Sequence, residues 1–314
     1  MKTKLSKPPV VAVDLGGTNL RVGLVTAKGQ VVARSRARMR DVTGGDVLCD
    51  LLAKKVGAFI ERQKAARAPG AVAIGFAGPT DSASGRVYFA PNVSGLSNLN
   101  LAEDLEKRLG MRVFVANDAD CAALGEYWKG AAEGASSLFL FTLGTGMGGA
   151  MVIGGDLWEG SAGTAGEIGH TVIDMDGPKC ACGRRGCLEA LVSATAIVRE
   201  YRERKSKVPE ARTLTAKSVF QLALKGDGVA KQVVAGAARA LGMGIANVYL
   251  LLNPELILIG GGVARAGASL IDPAVRHARA EIFPELRHML KVKRAALGDD
   301  AGLLGAAYLA YQRL

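Results

Sequence analysis

The stretch VAVDLGGTNLRVGLV, residues 11–25, decides the fold. It predicts an apolar strand, a tight glycine turn and a second apolar strand. FLFTLGTGMGGAMVI, residues 139–153, repeats the pattern, and aligning the two stretches superposes residues 16–18 on residues 144–146. The sequence therefore predicts two α/β halves that each begin with a strand, a glycine turn and a second strand. Two such turns facing one cleft would offer backbone N–H groups to a nucleoside triphosphate, although each alone can be a simple hairpin.

The segments around the first hairpin carry the periodicities of an α/β protein. A third strand is expected at QVVARSRAR, residues 30–38, and would complete an antiparallel meander. Apolar residues recur at three- and four-residue spacing from Gly45 to Ala68, which indicates a helix. NLAEDLEKRLG, residues 100–110, predicts a helix closed by its final glycine. RVFVAND, residues 112–118, predicts a strand that ends in two polar residues.

Composition indicates a folded protein of a reducing compartment. The 314 residues are 49% hydrophobic, which is enough for one large domain or two of moderate size. No signal-peptide core precedes Asp14, and VYLLLNPELILIG, residues 248–260, is too broken to span a bilayer. Five cysteines, three of them clustered, favour metal binding over a disulfide framework. We therefore expect a cytoplasmic protein without a membrane anchor.

The net charge of +11 allows three interpretations. It can favour nucleic acid, attract small polyanionic substrates, or simply keep the protein soluble. In RSRARMR, residues 34–40, the arginines alternate, which on a strand places them on one solvated face. No aromatic residue interleaves them, so a groove for single-stranded nucleic acid is poorly supported. We expect no nucleic-acid partner.

Three thiols are gathered in KCACGRRGC, residues 179–187, and nine residues separate the first of them from His170. Three thiolates and one imidazole make a closed tetrahedral ligand set, which is typical of structural zinc. The predicted zinc ligands are His170, Cys180, Cys182 and Cys187. Because no ligand position stays open for water, the metal is expected to hold a loop in place.

Carboxylates at strand ends and beside this loop supply candidate chemistry. Asp118 follows a predicted buried strand, at the end where open α/β sheets bind ligands, and can accept a hydroxyl proton during phosphoryl transfer. Asp14 lies beside the first glycine turn and can hold Mg²⁺ through water. Capping of a turn or helix is the alternative role for both. Glu167 and Glu189 bracket the zinc loop, and carboxylates beside an imidazole suit a polyhydroxylated ligand.

A third glycine cluster, LILIGGGVA at residues 256–264, follows an apolar strand. Glycine lets the backbone approach a flat ligand closely, and a helix after the cluster could aim its amino terminus at phosphate. None of the three clusters has the G-x-x-x-x-G-K-[ST] form of a Walker-type P-loop. No G-x-G-x-x-G opens a helix after the first strand. The sequence therefore excludes a Walker-type site and matches a Rossmann fingerprint poorly.

Together these motifs resemble the ROK family of sugar kinases, within the actin, hexokinase and Hsp70 ATPase-fold superfamily. The resemblance extends over nearly the whole chain, through DLGGTNLR, APN, AND, GTGMGG, GEIGH, CACGRRGCLE, GGGVA and GDDAGLLGAA. It implies an α/β, two-lobed, actin-like ATPase fold (ribonuclease H-like), with duplicated mixed sheets and flanking helices. The implied small lobe is residues 1–118 with 302–314, and the large lobe with the zinc loop is residues 119–301.

The resemblance also implies phosphorylation of a hexose at its 6-hydroxyl, with Asp118 as the base and with ATP, Mg²⁺ and structural Zn²⁺ as cofactors. The residues that it implies for sugar binding are Asn92, Asn117, Asp118, Glu167, His170 and Glu189. The residues that it implies for the nucleotide and its metal are Asp14, Gly16, Gly17, Thr18, Thr145, Gly146, Gly260, Gly261 and Gly262.

Glucose is the expected hexose, because GLSNLNLAEDL and GDDAGLLGAA look most like glucokinases. Kinases for N-acetylglucosamine, N-acetylmannosamine, mannose and fructose share the same motifs, and polyphosphate is an alternative donor. The family is usually dimeric or tetrameric, so a homo-oligomer is expected.

Two other functional classes are less well supported by the sequence. The same family includes sugar-responsive transcriptional regulators, which carry a helix-turn-helix ahead of the kinase-like body. Only 13 residues precede Asp14, too few for such a domain. A sugar-binding protein without catalysis is disfavoured by the intact Asp118.

Overall fold

Two five-stranded mixed sheets dominate the computed structural model, which describes residues 7–16, 19–39, 42–63, 68–90, 93–205 and 214–314. The strands are β1 (Val10–Leu15), β2 (Asn19–Val25), β3 (Val31–Arg38), β4 (Ala71–Phe76), β5 (Thr80–Asp81), β6 (Arg86–Phe89), β7 (Ser97–Asn100), β8 (Val113–Asn117), β9 (Ser137–Leu143), β10 (Met147–Ile153), β11 (Asp156–Leu157), β12 (Leu256–Gly260) and β13 (Val292–Arg294). The helices are α1 (Gly45–Gln63), α2 (Leu101–Leu109), α3 (Asp118–Lys129), α4 (Leu188–Val192), α5 (Ala194–Arg204), α6 (Ala216–Leu224), α7 (Gly228–Leu252), α8 (Ala268–Glu281) and α9 (Ala301–Arg313).

The duplication predicted from the two glycine hairpins is confirmed by the order of the strands. One sheet has the order β3-β2-β1-β4-β8 and the other the order β11-β10-β9-β12-β13. In each sheet the first strand of its hairpin lies at the centre, with the rest of the meander on one side and two later strands on the other. A small sheet of order β5-β6-β7 is inserted after β4.

The first sheet brings the predicted strand ends to one edge. β1, β2 and β3 form the expected antiparallel meander. β4 pairs parallel with both β1 and β8, and the register places Leu15, Phe76 and Asn117 side by side. Asp14 and Asp118, each next to one of these residues in the chain, therefore lie at the same carboxyl-terminal edge of the sheet.

The predicted helices begin and end close to their expected residues. α1 buries Leu48, Leu52, Val56 and Phe59, the spacing that indicated a helix, and residues 64–67 of the predicted segment lie outside the described ones. α2 ends where Gly110 takes the left-handed conformation (φ 66°) as its C-cap. The left-handed region favours glycine, so this residue ends the helix as predicted.

The chain divides into two compact units. The first consists of Met1–Gly134, Met151–Ala165 and Leu297–Leu314, and the second of Ala135–Ala150 and Gly166–Ala296. The lobe boundaries inferred from the sequence stay a prediction.

In the first unit, α3 and α9 approach each other through glycine. A Cβ atom on Gly305 would collide with the carbonyl of Cys121, and one on Gly125 would collide with the carbonyl of Ala301. α9 also packs against β1 and β4, where Gly302 lies against the Asp14 side chain. The small residues of AGLLGAA therefore bring a helix from the end of the chain directly onto the first sheet.

The arginine stripe of β3 projects from an exposed face, as predicted. Arg34 Nη2 lies 2.7 Å from Asp300 Oδ2, and Arg36 Nη2 lies 3.5 Å from Asp299 Oδ2. Arg40 lies outside the described residues. Two of the arginines are thus paired with carboxylates of the same unit, which lowers the positive charge that the stripe presents.

In the second unit, α7 is long and apolar enough to cross a membrane by length and composition. Of its most apolar window, however, 67% is buried inside the protein. Burial of Val233, Leu241 and Ile245 is the pattern of a core helix. The apolar stretch at residues 248–260, which was considered as a possible span from the sequence, overlaps this helix only at residues 248–252.

Candidate active site

The four predicted zinc ligands converge in the second unit. The ligand atoms of His170, Cys180, Cys182 and Cys187 all lie within 4.8 Å of one another. Cys180 Sγ is 3.7 Å from His170 Nδ1, and Cys182 Sγ is 3.6 Å from Cys187 Sγ. Two thiolates on a tetrahedral zinc ion are about 3.8 Å apart, given a Zn–S bond of about 2.3 Å. The cluster therefore fits zinc in both composition and spacing.

Glycines shape the loop that carries these thiols. Gly183 and Gly186 have φ of 89° and 68°, in the left-handed region. The backbone of Gly186 packs so closely on the carbonyl of Asp174 that a Cβ atom would collide with it. Cys180 N donates to Arg184 O at 2.8 Å, which closes the loop around the cluster.

The thiols of the cluster differ in acidity. A hydrogen bond from the backbone N–H of Arg184 lowers the pKa of Cys182 to about 6. Burial raises the pKa of Cys187 to about 12 and also raises that of Cys180. Because cysteine binds zinc as thiolate, metal binding must displace protons from the two buried thiols.

His170 lies between the three thiols of the cluster and the carboxylate of Glu167. Its Nδ1 faces Cys180, whereas its Nε2 is 3.9 Å from Glu167 Oε2. Burial raises the pKa of Glu167 above its ordinary value. A histidine that faces the metal site with one nitrogen keeps the other for a second partner.

Glu189 connects the zinc loop to the second glycine turn. It lies in the first turn of α4, and its Oε2 accepts a hydrogen bond from Met147 N at 2.8 Å. A Cβ atom on Gly146 would lie 2.6 Å from that oxygen. Gly146 therefore leaves the space that the carboxylate occupies. Thr145 and Gly146 are exposed, so a ligand can reach this turn.

The third glycine cluster adjoins the second. β12 pairs parallel with β9, which places Gly260 opposite Thr142. Gly261 has φ of 86° and packs against the backbone of Leu143, so a side chain there would collide with it. A Cβ atom on Gly262 would meet nothing within 4 Å. The structure thus brings residues 260–262 beside the glycine turn of the second half.

In the first unit, Asn117 and Asp118 lie at the start of α3 and make different hydrogen bonds. Asn117 Oδ1 accepts from Ala119 N at 2.8 Å as the N-cap of α3, and its Nδ2 donates to Gly78 O at 3.0 Å. The helix cap is therefore Asn117. The half-buried Asp118 accepts from Ala119 N at 2.9 Å. The family resemblance implied a sugar-binding role for Asn117, and its role as a helix cap was not predicted.

Asp14 is held by a residue that sequence reasoning also missed. Arg21, its partner in the antiparallel register, donates from Nη1 to Asp14 Oδ2 at 2.6 Å. Burial raises the pKa of Asp14, and the hydrogen bond from Arg21 opposes this shift. The register of the predicted hairpin could have indicated this pair, because Asp14 and Arg21 are seven positions apart and lie opposite each other across the turn.

The first glycine turn is described only in part. Gly16 N donates to Asn19 O at 3.0 Å across it. Gly17, Thr18 and Asn92, three of the predicted site residues, lie outside the described ones.

Residues 10–313 match the model of the ROK family. The chain belongs to the ROK family. Among its curated relatives, the glucokinase of Halalkalibacterium halodurans is 38% identical over 96% of this chain and 95% of its own length. The glucokinase of Thermotoga maritima is 36% identical over 99% of both.

A solved structure is similar to this ROK chain over almost its full length. It is a ROK family glucokinase from Streptomyces griseus in complex with glucose and AMPPNP, with 33% identity, a TM-score of 0.82 and coverage of 97% of this chain and 99% of that chain. The predicted actin-like ATPase fold, with its duplicated mixed sheets and flanking helices, is therefore confirmed.

Within each unit of the ROK chain, the predicted residues are gathered as follows. In the second unit, the contacts described above link the four predicted zinc ligands to Glu167, to Glu189 and to the turn at Thr145 and Gly146. Asp14, Asn117 and Asp118 share one sheet edge in the first.

Proposed function

We propose that this ROK chain phosphorylates glucose at its 6-hydroxyl with ATP as donor. The observation that carries the proposal is Asp118, half-buried at the carboxyl end of β8, in a chain 36% and 38% identical to two glucokinases over nearly its whole length. The Streptomyces griseus relative holds glucose together with AMPPNP, an analogue of ATP.

Asp118 is the proposed general base. As the 6-hydroxyl oxygen attacks the γ-phosphorus of ATP, the hydroxyl proton passes to the Asp118 carboxylate and ADP leaves. The N–H of Ala119, which donates to Asp118 Oδ1, restricts the rotation of this carboxylate. Asn117 fixes the first turn of α3 and so the position of Asp118.

The remaining roles follow from the donors and acceptors of each residue. Glu167 and Glu189 accept from sugar hydroxyls, and His170 Nε2 faces the sugar from the side opposite its zinc-facing nitrogen. Asn92 and Asn117 complete the sugar set.

Backbone N–H groups at Gly17, Thr18, Thr145 and Gly146 are the proposed donors to the phosphates. Gly16 has a supporting role, because its N–H donates to Asn19 O and shapes the first turn. Residues 260–262 leave room for the nucleoside. Mg²⁺, when bound, neutralises charge on the phosphates, with Asp14 as its candidate partner through water.

A coupled assay of ADP release tests the proposal. ATP with Mg²⁺ is supplied against glucose, mannose, fructose, N-acetylglucosamine and N-acetylmannosamine, and polyphosphate replaces ATP in a second series. We expect the highest kcat/KM for glucose with ATP. Preference for an N-acetyl sugar would keep the mechanism and overturn the substrate, and no turnover on any sugar would overturn the function.

Zinc, when bound, holds the loop that positions His170, Glu167 and Glu189. We expect Cys182→Ser to lose zinc, from about one ion per chain to nearly none after dialysis. Glucose affinity should fall with it by roughly tenfold or more, because several charge-assisted hydrogen bonds lose their geometry. Metal analysis and calorimetry measure the two effects.

Ala181→Ser is the matched control for this variant, because it adds a hydroxyl to the neighbouring exposed position and keeps all four ligands. Unchanged glucose binding by a zinc-free Cys182→Ser protein would overturn the scaffold role of the metal.

The proposal includes a cytoplasmic homodimer or homotetramer, as in the family generally. Light scattering on the purified protein measures the assembly, and a monomer would overturn that part alone.

A further inference from the structure

The glycine turn of the second unit, Gly144–Met147, is held along its length by one short segment of chain. Ala194 N donates to Gly144 O at 2.9 Å, and Thr195 Oγ1 donates to Thr145 O at 2.9 Å. Met147 N donates to Glu189 Oε2 at 2.8 Å. Three positions of the turn are therefore fixed by residues 189–195, which also lie in the second unit.

This holding segment starts at the zinc cluster. Cys187, one of the four predicted ligands, is fully buried and is the N-cap residue of α4, two positions before Glu189. The other carboxylate oxygen, Glu189 Oε1, lies 3.8 Å from the Sγ of Cys180, a second ligand. The residue that holds Met147 is therefore linked to one predicted ligand through the chain and to another through a direct contact.

Hydrogen bonds of the neighbouring backbone fix the position of Glu189 in the chain. Leu188 N donates to Thr171 O at 2.9 Å, which ties the start of α4 to the strand-like segment after His170. Arg199 Nη2 donates to Ala190 O at 2.7 Å from the far side. The residues before and after Glu189 are thus both hydrogen-bonded through their backbone. The Oε2 atom of Glu189 fills the space beside Gly146.

We propose that Glu189 is a positioning residue that couples the zinc loop to the glycine turn, so that zinc occupancy sets the affinity for nucleotide even without sugar. The inference rests on the proposed function, in which the exposed backbone of Thr145 and Gly146 meets the phosphates. Glu189 Oε2 positions that backbone by accepting from Met147 N, while Glu189 Oε1 faces the predicted zinc ligand Cys180.

Calorimetric titration with AMPPNP in the absence of sugar tests the coupling. We expect removal of zinc by a chelator to weaken AMPPNP binding by the wild-type chain about tenfold, the usual worth of one charge-assisted hydrogen bond. Zinc-loaded Glu189→Ala should bind AMPPNP about as weakly as the zinc-free wild type. Removing zinc from this variant should then have no further effect, because two changes that act through one contact are not additive.

A second variant tests the role of residues 189–195 in holding the turn Gly144–Met147. It leaves the predicted zinc ligands, the proposed sugar-binding residues and Glu189 unchanged. Thr195→Val removes the hydrogen bond to Thr145 O at nearly constant volume, and we expect AMPPNP affinity to fall several-fold with full zinc content. Thr195→Ser keeps the hydroxyl and should restore the affinity. Thr215→Val is the matched control, since Thr215 caps α6 and its loss should leave AMPPNP binding unchanged.

The outcomes separate the inference from the function beneath it. If zinc removal weakens AMPPNP binding equally in the wild type and in Glu189→Ala, the coupling through Glu189 is wrong, and the proposed function stands. If the zinc-loaded wild type binds no AMPPNP, both the proposed function and this inference are rejected. Normal AMPPNP affinity in Thr195→Val would also count against the holding role of residues 189–195.

Discussion

Asp118→Asn is expected to lower the turnover of glucose phosphorylation by roughly 10² to 10⁴, the usual worth of a general base. An amide keeps the size of the carboxyl group and can still accept from Ala119 N, but it cannot take up the hydroxyl proton. Glucose and AMPPNP affinities should change little, because the amide oxygen can still accept from the 6-hydroxyl and Asn117 still caps the first turn of α3. Single-turnover measurement with saturating ATP and glucose isolates the step.

Asp46→Asn is the matched control for this experiment. Asp46 also lies in the first turn of a helix, and its side chain is 94% exposed. It therefore loses the same charge at the same kind of position and should keep full turnover. Turnover of Asp118→Asn near that of the control would overturn the role of Asp118 as the base.

Gly305→Ala is expected to destabilise the protein by about 3 kcal/mol, at the upper end of the cost of overpacking a core. The methyl group would meet the backbone carbonyl of Cys121, which cannot rotate away as a side chain can. α9 must then move off α3 and off β1. The midpoint of urea unfolding should fall well below that of the wild type.

Gly236→Ala makes the same change where there is room for it. Gly236 lies in α7, is exposed, and has no neighbour within 4 Å of the new methyl group. Alanine is the better helix former, so this variant should gain up to about 1 kcal/mol. The two variants should shift the unfolding midpoint in opposite directions, and a shift of the same sign and size would show that the contact of α9 with α3 is not close.

Features that depend on short stretches of sequence could be predicted. The hairpin at residues 11–25, its repeat at residues 139–153 and the C-cap at Gly110 follow from local periodicity and turn chemistry. The zinc cluster followed from residue type and spacing, because only a few side chains can complete its ligand set.

Contacts between residues distant in the chain could not be predicted in this way. Nothing local distinguishes Asn117 from Asp118 as the cap, and the choice depends on Gly78, which accepts from the Asn117 side chain. The bond from Met147 N to Glu189 joins residues 42 positions apart. The collision that makes Gly305 necessary arises only when α9 meets α3.

The packing of α9 has a consequence for the order of events during biosynthesis. A ribosome releases residues 135–150 and 166–296, the whole of the second unit, before it makes α9, the helix that completes the first unit. Until then the surface of α3 around Cys121 and Gly125 has no cover, and Val25 lacks the hydroxyl of Tyr311 that donates to its carbonyl at 2.8 Å. The first sheet therefore lacks its last covering helix until the end of synthesis, whereas the second unit can finish folding before that.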